Sequence, residues 1–167
     1  MSRGALQPPD SFHLEAAQGW VGLGNHREAA LELLQLSPAA RSHPDVLEMR
    51  WRLERIEGRF AGCSELAGEL LRTAPEDARG WLFAAQTHYF QKQYQTAYET
   101  LAPTLRRFPA AWPIHYDLSC YACLLGRMEE ARQLLARAFV LDPTGEAKRT
   151  AEKDPDLQSL RAQLDGL

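Results

Sequence analysis

The chain has 167 residues, 45% of them hydrophobic and 25% charged, which is enough for one buried core and short of two ordinary domains. A net charge of -3 leaves no surplus of Lys and Arg to displace counterions from a polyanion, so the composition argues against a nucleic-acid partner. No apolar run reaches the length of a signal peptide or membrane span, and three unevenly spaced cysteines suit a reducing compartment. The expectation is a cytoplasmic protein with no membrane partner.

In chain order, residues 1–9 read as a flexible N-terminal segment. Helices are then expected over 11–23, 26–36, 44–57, 60–73, 76–91, 94–107, 111–125 and 128–141, with a closing helix over 154–165 after a linker. The eighth is the clearest, because Met128, Ala131, Leu134, Leu135, Ala138 and Leu141 recur at three- and four-residue steps along one face. Pro103 falls inside the sixth, where its missing donor and bulky ring call for a kink or break. Pro113 lies in a first turn, where no donor is needed. In DPDLQSLRAQLDGL, Asp154 is a cap, Pro155 sits in the first turn, and Leu157, Leu160, Leu164 and Leu167 form a stripe expected to lie on the last hairpin.

These elements repeat. Pro75, Pro109 and Pro143 stand 34 residues apart, as do Gly24, Gly58, Lys92 and Gly126, each followed two residues on by His26, Phe60, Tyr94 or Met128. Small residues keep the same interval, at Ala29, Cys63, Ala97 and Ala131, and at Ala17, Ala85 and Ser119. The interval, the loop signals and this alternation of small and bulky residues resemble the tetratricopeptide repeat (TPR) family over residues 10–143. The best match is in GWLFAAQTHYFQKQYQTAYETLAPTLRRFP and in the final unit, with Leu118, Ser119, Gly126, Ala131, Leu135, Ala138 and Pro143. Three positions depart from the pattern. Trp51 replaces a small residue, Lys92 replaces the turn glycine, and Pro38 ends the first unit's second helix early.

The resemblance implies an all-α fold, a right-handed α-solenoid of about four TPR hairpins with a C-terminal capping helix over the last part of 144–167. It also implies a concave groove lined by the first helix of each unit. Carried over residue by residue, the groove positions are Gln18 in the first unit, Glu48, Arg52 and Arg55 in the second, Arg79, Leu82, Gln86, Tyr89 and Phe90 in the third, and Tyr116, Cys120 and Cys123 in the fourth. The implied function is an adaptor that binds a protein or peptide segment. Its expected ligand has an acidic group gripped by Arg52, Arg55 and Arg79 and an apolar anchor held by Tyr89, Phe90 and Tyr116. Against the grip stands Glu48, four residues before Arg52, which would form an ordinary helix-surface ion pair of about 0.2–0.5 kcal/mol. The alternatives are a self-associating scaffold, hence a homo-oligomer, and a chaperone for a secreted protein.

No cofactor, metal or catalytic residue is expected. Cys120 and Cys123 have C-x-x-C spacing but lack the further ligands of a structural zinc site and the strand-helix setting of a redox dithiol, so they read as small thiols in a groove wall, and Cys63 as a buried spacer. GLGNHR lacks the third glycine of a phosphate cradle, and there is no H-E-x-x-H or G-x-S-x-G.

Overall fold

The computed structural model describes residues 4–166, with side chains as far as Arg161. Its helices are α1 Asp10–Gly22, α2 His26–Leu34, α3 Pro44–Ile56, α4 Phe60–Thr73, α5 Arg79–Phe90, α6 Tyr94–Leu101, α7 Trp112–Leu124, α8 Met128–Leu141 and α9 Glu146–Ala151. Two 3-10 segments complete it, Ala102–Arg106 and Pro155–Gly166. There is no strand among the described residues.

The 34-residue interval is visible in backbone hydrogen bonds. Asn25, Arg59, Gln93 and Arg127 each donate N–H to the carbonyl five residues earlier, on Trp20, Glu54, His88 and Ala122, at 2.9, 2.8, 3.0 and 2.9 Å. The residue before each donor is left-handed, Gly24 at φ 75, Gly58 at 71, Lys92 at 62 and Gly126 at 77, and donates to the carbonyl three back. This paired 6→1 and 5→2 closure satisfies the orphan carbonyls at a helix end and turns the chain into the second helix of each hairpin. Lys92 therefore keeps the geometry of the glycine it replaces.

The chain divides into two compact units, one ending at Phe83 and the other beginning at Ala84. In the first, α1 packs on α2, α3 on α4, and α3 also on α1 and α2. Its core contains Leu14, Ala17, Ala29, Leu33, Leu36, Val46, Met49 and Leu53, with Leu6 of the N-terminal segment packed against it. Asp10 ties the start of α1 to the end of this hairpin, accepting from Ser37 N at 2.8 Å and Ser37 Oγ at 2.7 Å. Trp51 fits where a small residue recurs elsewhere because its ring lies flat on Phe83, centroids 4.6 Å apart and planes 13° from parallel. Cys63, Ala29, Ala97 and Ala131 are all fully buried, as their shared register implies.

In the second unit, α7 packs on α6 and α8, and α9 packs on both α7 and α8. The core includes Leu101, Ile114, Leu118, Leu135 and Ala138. α6 ends at Leu101 and gives way to a 3-10 turn at Ala102–Arg106, the break expected at Pro103. α9 lies in the segment expected to be linker. Asp142 makes it, accepting from Ala147 N at 2.7 Å and Thr144 N at 2.9 Å, with left-handed Gly145 reversing the chain. At six residues it is too short to show a hydrophobic period. The expected closing α-helix is instead the 3-10 tail Pro155–Gly166, started by Asp154, whose Oδ1 accepts from Asp156 N at 3.0 Å. Leu157 and Leu160 are buried as the stripe required, while Leu164 and Leu167 lie outside the residues with described side chains. None of the described helices is long and apolar enough to cross a membrane.

Candidate functional site

The first-helix faces carry the expected groove residues, and each unit presents its own. In the first unit, Gln18 on α1 is exposed, Arg52 on α3 is exposed, and Leu82 on α5 is buried. Arg79 occupies the centre of an ion cluster. Its Nη1 lies 2.8 Å from both Asp45 Oδ1 and Glu48 Oε2, and its Nη2 lies 2.6 Å from Asp77 Oδ2. Glu48 also accepts from Arg52, while the Arg55 guanidinium lies 5.8 Å from the centre of the Trp51 ring. Hydrogen bonding to Asp77 dominates the stabilisation of the Arg79 charge, whose pKa is raised. Burial opposes ionisation of Asp77, yet the bonds from Arg79 hold its carboxyl below the usual range. Three carboxylates thus surround Arg79, one of them shared with Arg52, and an incoming acidic group meets two arginines already engaged. Because the members are partly exposed, each pair contributes little to stability, of the order of 0–1 kcal/mol.

In the second unit the face of α5 and α7 is covered by the 3-10 tail. The Tyr116 hydroxyl donates to Asp154 Oδ2 at 2.8 Å, and the Tyr89 hydroxyl donates to Asp156 Oδ2 at 2.6 Å. Cys120 Sγ lies 3.7 Å from the same Asp154 oxygen. Beneath them Gln86 Nε2 donates to Asp117 Oδ2 at 2.8 Å, and Tyr121 stacks on Tyr89 with centroids 5.6 Å apart. Of the expected residues, Gln86, Tyr89, Tyr116 and Cys120 are therefore brought together, with Phe90 edge-on to Tyr89 at 5.1 Å and 37% exposed. Cys123 is buried, its Sγ 3.9 Å from Met128 Sδ.

Burial, and then the nearby acids, set the protonation of this face. Both Cys120 and Cys123 thiols are pushed up by burial first and by the Asp154 and Asp156 carboxylates after it, which keeps them protonated and poor nucleophiles. Burial and the bond to Asp156 raise Tyr89, so it remains a donor at any ordinary pH. Asp117 is pushed up to about 7 by burial and by the charge of Asp154, against the lowering effect of Gln86. Two histidines make cross-links within the fold: His13 Nδ1 meets Glu32 Oε2 at 2.8 Å between α1 and α2, and His115 Nε2 lies 3.1 Å from the Pro109 carbonyl.

Sequence reasoning missed Asp117, Tyr121, Asp154 and Asp156 as members of this face. The motif DPDL was visible, but only as the cap of a helix, and the partner of Asp156 lies 67 residues away.

The hairpin geometry defines the class of fold: this is an α-solenoid of the tetratricopeptide type. Solved structures agree with it. TTC0263, a thermophilic TPR protein of Thermus thermophilus, superposes with a TM-score of 0.71 at 18% identity, covering 95% of this chain and 100% of that one. MamA of AMB-1 gives 0.56 at 17% identity, over 95% of this chain and 91% of that one. MamA of MSR-1 gives 0.56 at 15%, over 96% and 97%. No family model and no curated protein sequence matches the chain.

Proposed function

We propose that the chain is a protein-binding module, an adaptor that holds a segment of another protein on its first-helix faces. The observation that carries this reading is the face of α5 and α7, where a stretch of polypeptide, residues 154–160, is already seated through tyrosine hydroxyls and two buried leucines. A surface that receives one short helical segment by carboxylate and leucine contacts has the chemistry to receive another. The TPR fold supports the reading as an analogy of architecture, since stacked hairpins leave one face free of their own packing. The preferred ligand has an acidic group and an apolar anchor. In the second unit the acidic group is received by tyrosine hydroxyls; in the first, Arg79 and Arg52 are engaged with carboxylates of the same unit.

The test is capture of partners by the wild-type chain and by an Arg52→Ala, Phe90→Ala variant, both exposed first-helix positions, with Val140→Ala on the outer helix α8 as control. A partner kept by the control and lost from the double variant at unchanged melting temperature supports the module. Equal capture by all three refutes it. Scattering-detected size exclusion separates an adaptor, which elutes as a monomer at every concentration, from a self-associating scaffold.

A further inference from the structure

The tail makes contacts that a cap does not need. Covering the last hairpin is the work of α9, which packs on α7 and α8 with Ala147 and Ala151 fully buried. The tail goes further, along α7 and back to α5 in the preceding hairpin, where Asp156 reaches Tyr89. It joins α9 through Glu152 and Lys153, both exposed.

The hold is also imperfect. The tail is a long 3-10 segment, a form whose hydrogen bonds are poorer than those of an α-helix. Its two carboxylates are received by neutral hydroxyls, and Asp154 also faces a third carboxylate, Asp117, so like charges crowd the contact. The buried Tyr121 hydroxyl lies beside Asp117 without a well-aligned hydrogen bond among the described residues.

Resting on the binding-module reading, we propose that residues 154–160 are a displaceable occupant of the α5–α7 face. The face takes in trans a partner segment of the same chemistry: two carboxylates flanking one residue, a leucine immediately after, and a second leucine three residues on. The occupant in trans is a different protein. A tethered tail acts at an effective concentration of about millimolar, so the identical tail of a second copy cannot displace it at ordinary concentrations. A partner prevails by holding the Tyr89 and Tyr116 hydroxyls with less repulsion from Asp117 than the tail's Asp154 meets. Until it arrives, the tail keeps the leucine-binding surface out of water.

The experiment places a protease site between Glu152 and Lys153 of the full chain, cuts it, and adds a fluorescent peptide with the sequence of residues 153–167. The expected result is a cut protein with unchanged helical content that exchanges its tail for the labelled peptide, binding at least about tenfold more tightly than the uncut chain does. A peptide carrying Asp154→Ala and Asp156→Ala, and a cut protein carrying Tyr89→Phe and Tyr116→Phe, should each bind at least about tenfold more weakly. Loss of helical structure on cutting overturns the proposal, since the tail is then part of the core. So does a folded cut protein that takes up no peptide, or an uncut chain that dimerises by exchanging tails. If the tail fails to exchange while the Arg52→Ala, Phe90→Ala variant still loses its partner, only the displaceable tail is refuted. If the tail exchanges and no partner depends on those residues, the module reading falls.

Discussion

Lys92 stands at φ 62 in a turn whose three equivalents, at φ 71–77, are glycines. For a residue with a Cβ, the left-handed conformation costs about 1–2 kcal/mol. Replacing Lys92 with glycine removes that strain, while the greater freedom of glycine in the unfolded chain returns about 0.4–1 kcal/mol. The Lys92 side chain is exposed, so the change is read chiefly through the backbone. Lys92→Gly should therefore stabilise the protein by about 0.5–1 kcal/mol, which raises the melting temperature by roughly 1–4 °C in a chain of this size. The reciprocal change isolates the backbone. A Cβ at Gly126 meets nothing within 4 Å, so Gly126→Lys costs conformational strain alone and should destabilise by a similar amount. Calorimetric or circular-dichroism melts of both variants decide it. A lower melting temperature for Lys92→Gly, or a higher one for Gly126→Lys, would show that the four turns are not the same device.

Trp51→Ala should cost about 3–5 kcal/mol in chemical denaturation, because the ring is buried and stacked on Phe83. Asp117 has a folded-state pKa of about 7 against an ordinary aspartate value of 3.8, so the folded form holds a proton that the unfolded form has released. Its stabilising effect is therefore complete below about pH 4 and lost as pH rises through 7, with Asp156, also raised, acting in the same direction. The groups facing Asp117 are Asp154 at the start of the tail, Gln86 on α5, and Tyr116, Cys120 and Tyr121 on α7. Melts at pH 5.5 and 7.5 should show the chain more stable at 5.5 by the order of 1–3 kcal/mol, and Asp117→Asn should remove most of that difference. Leu157→Ala should weaken the tail by about 2 kcal/mol or more, read as about thirtyfold faster amide exchange over 155–160 with little change across α7 and α8. Cys120 and Cys123 should resist alkylation at pH 8 in the folded protein and react fully in denaturant, since burial keeps both thiols protonated.

What the sequence made legible was local. Helix faces, the left-handed turn residues and the prolines that stop helices each act through neighbours a few residues away, so the 34-residue period carried the hairpins and even placed Lys92 in a glycine's role. Side-chain pairings across the fold were not legible. Arg79 meets Asp45, the residue in its own register one repeat earlier, so its engagement follows from the period but appears only when two hairpins stack. The stack of Trp51 on Phe83 turned a departure from the pattern into a packing solution. α9 was too short to declare itself, and the tail's position depends on two tyrosines 38 and 67 residues distant from its aspartates, a relation no local period encodes.

The most direct test of the account is amide hydrogen exchange on the complex with a captured partner, compared with the free chain. A segment docked on the α5–α7 face should slow exchange across residues 84–90 and 112–124 and speed it over 155–160, where the tail has been expelled. Slowing confined to the second helices α6 and α8, with the tail as protected as before, would contradict it.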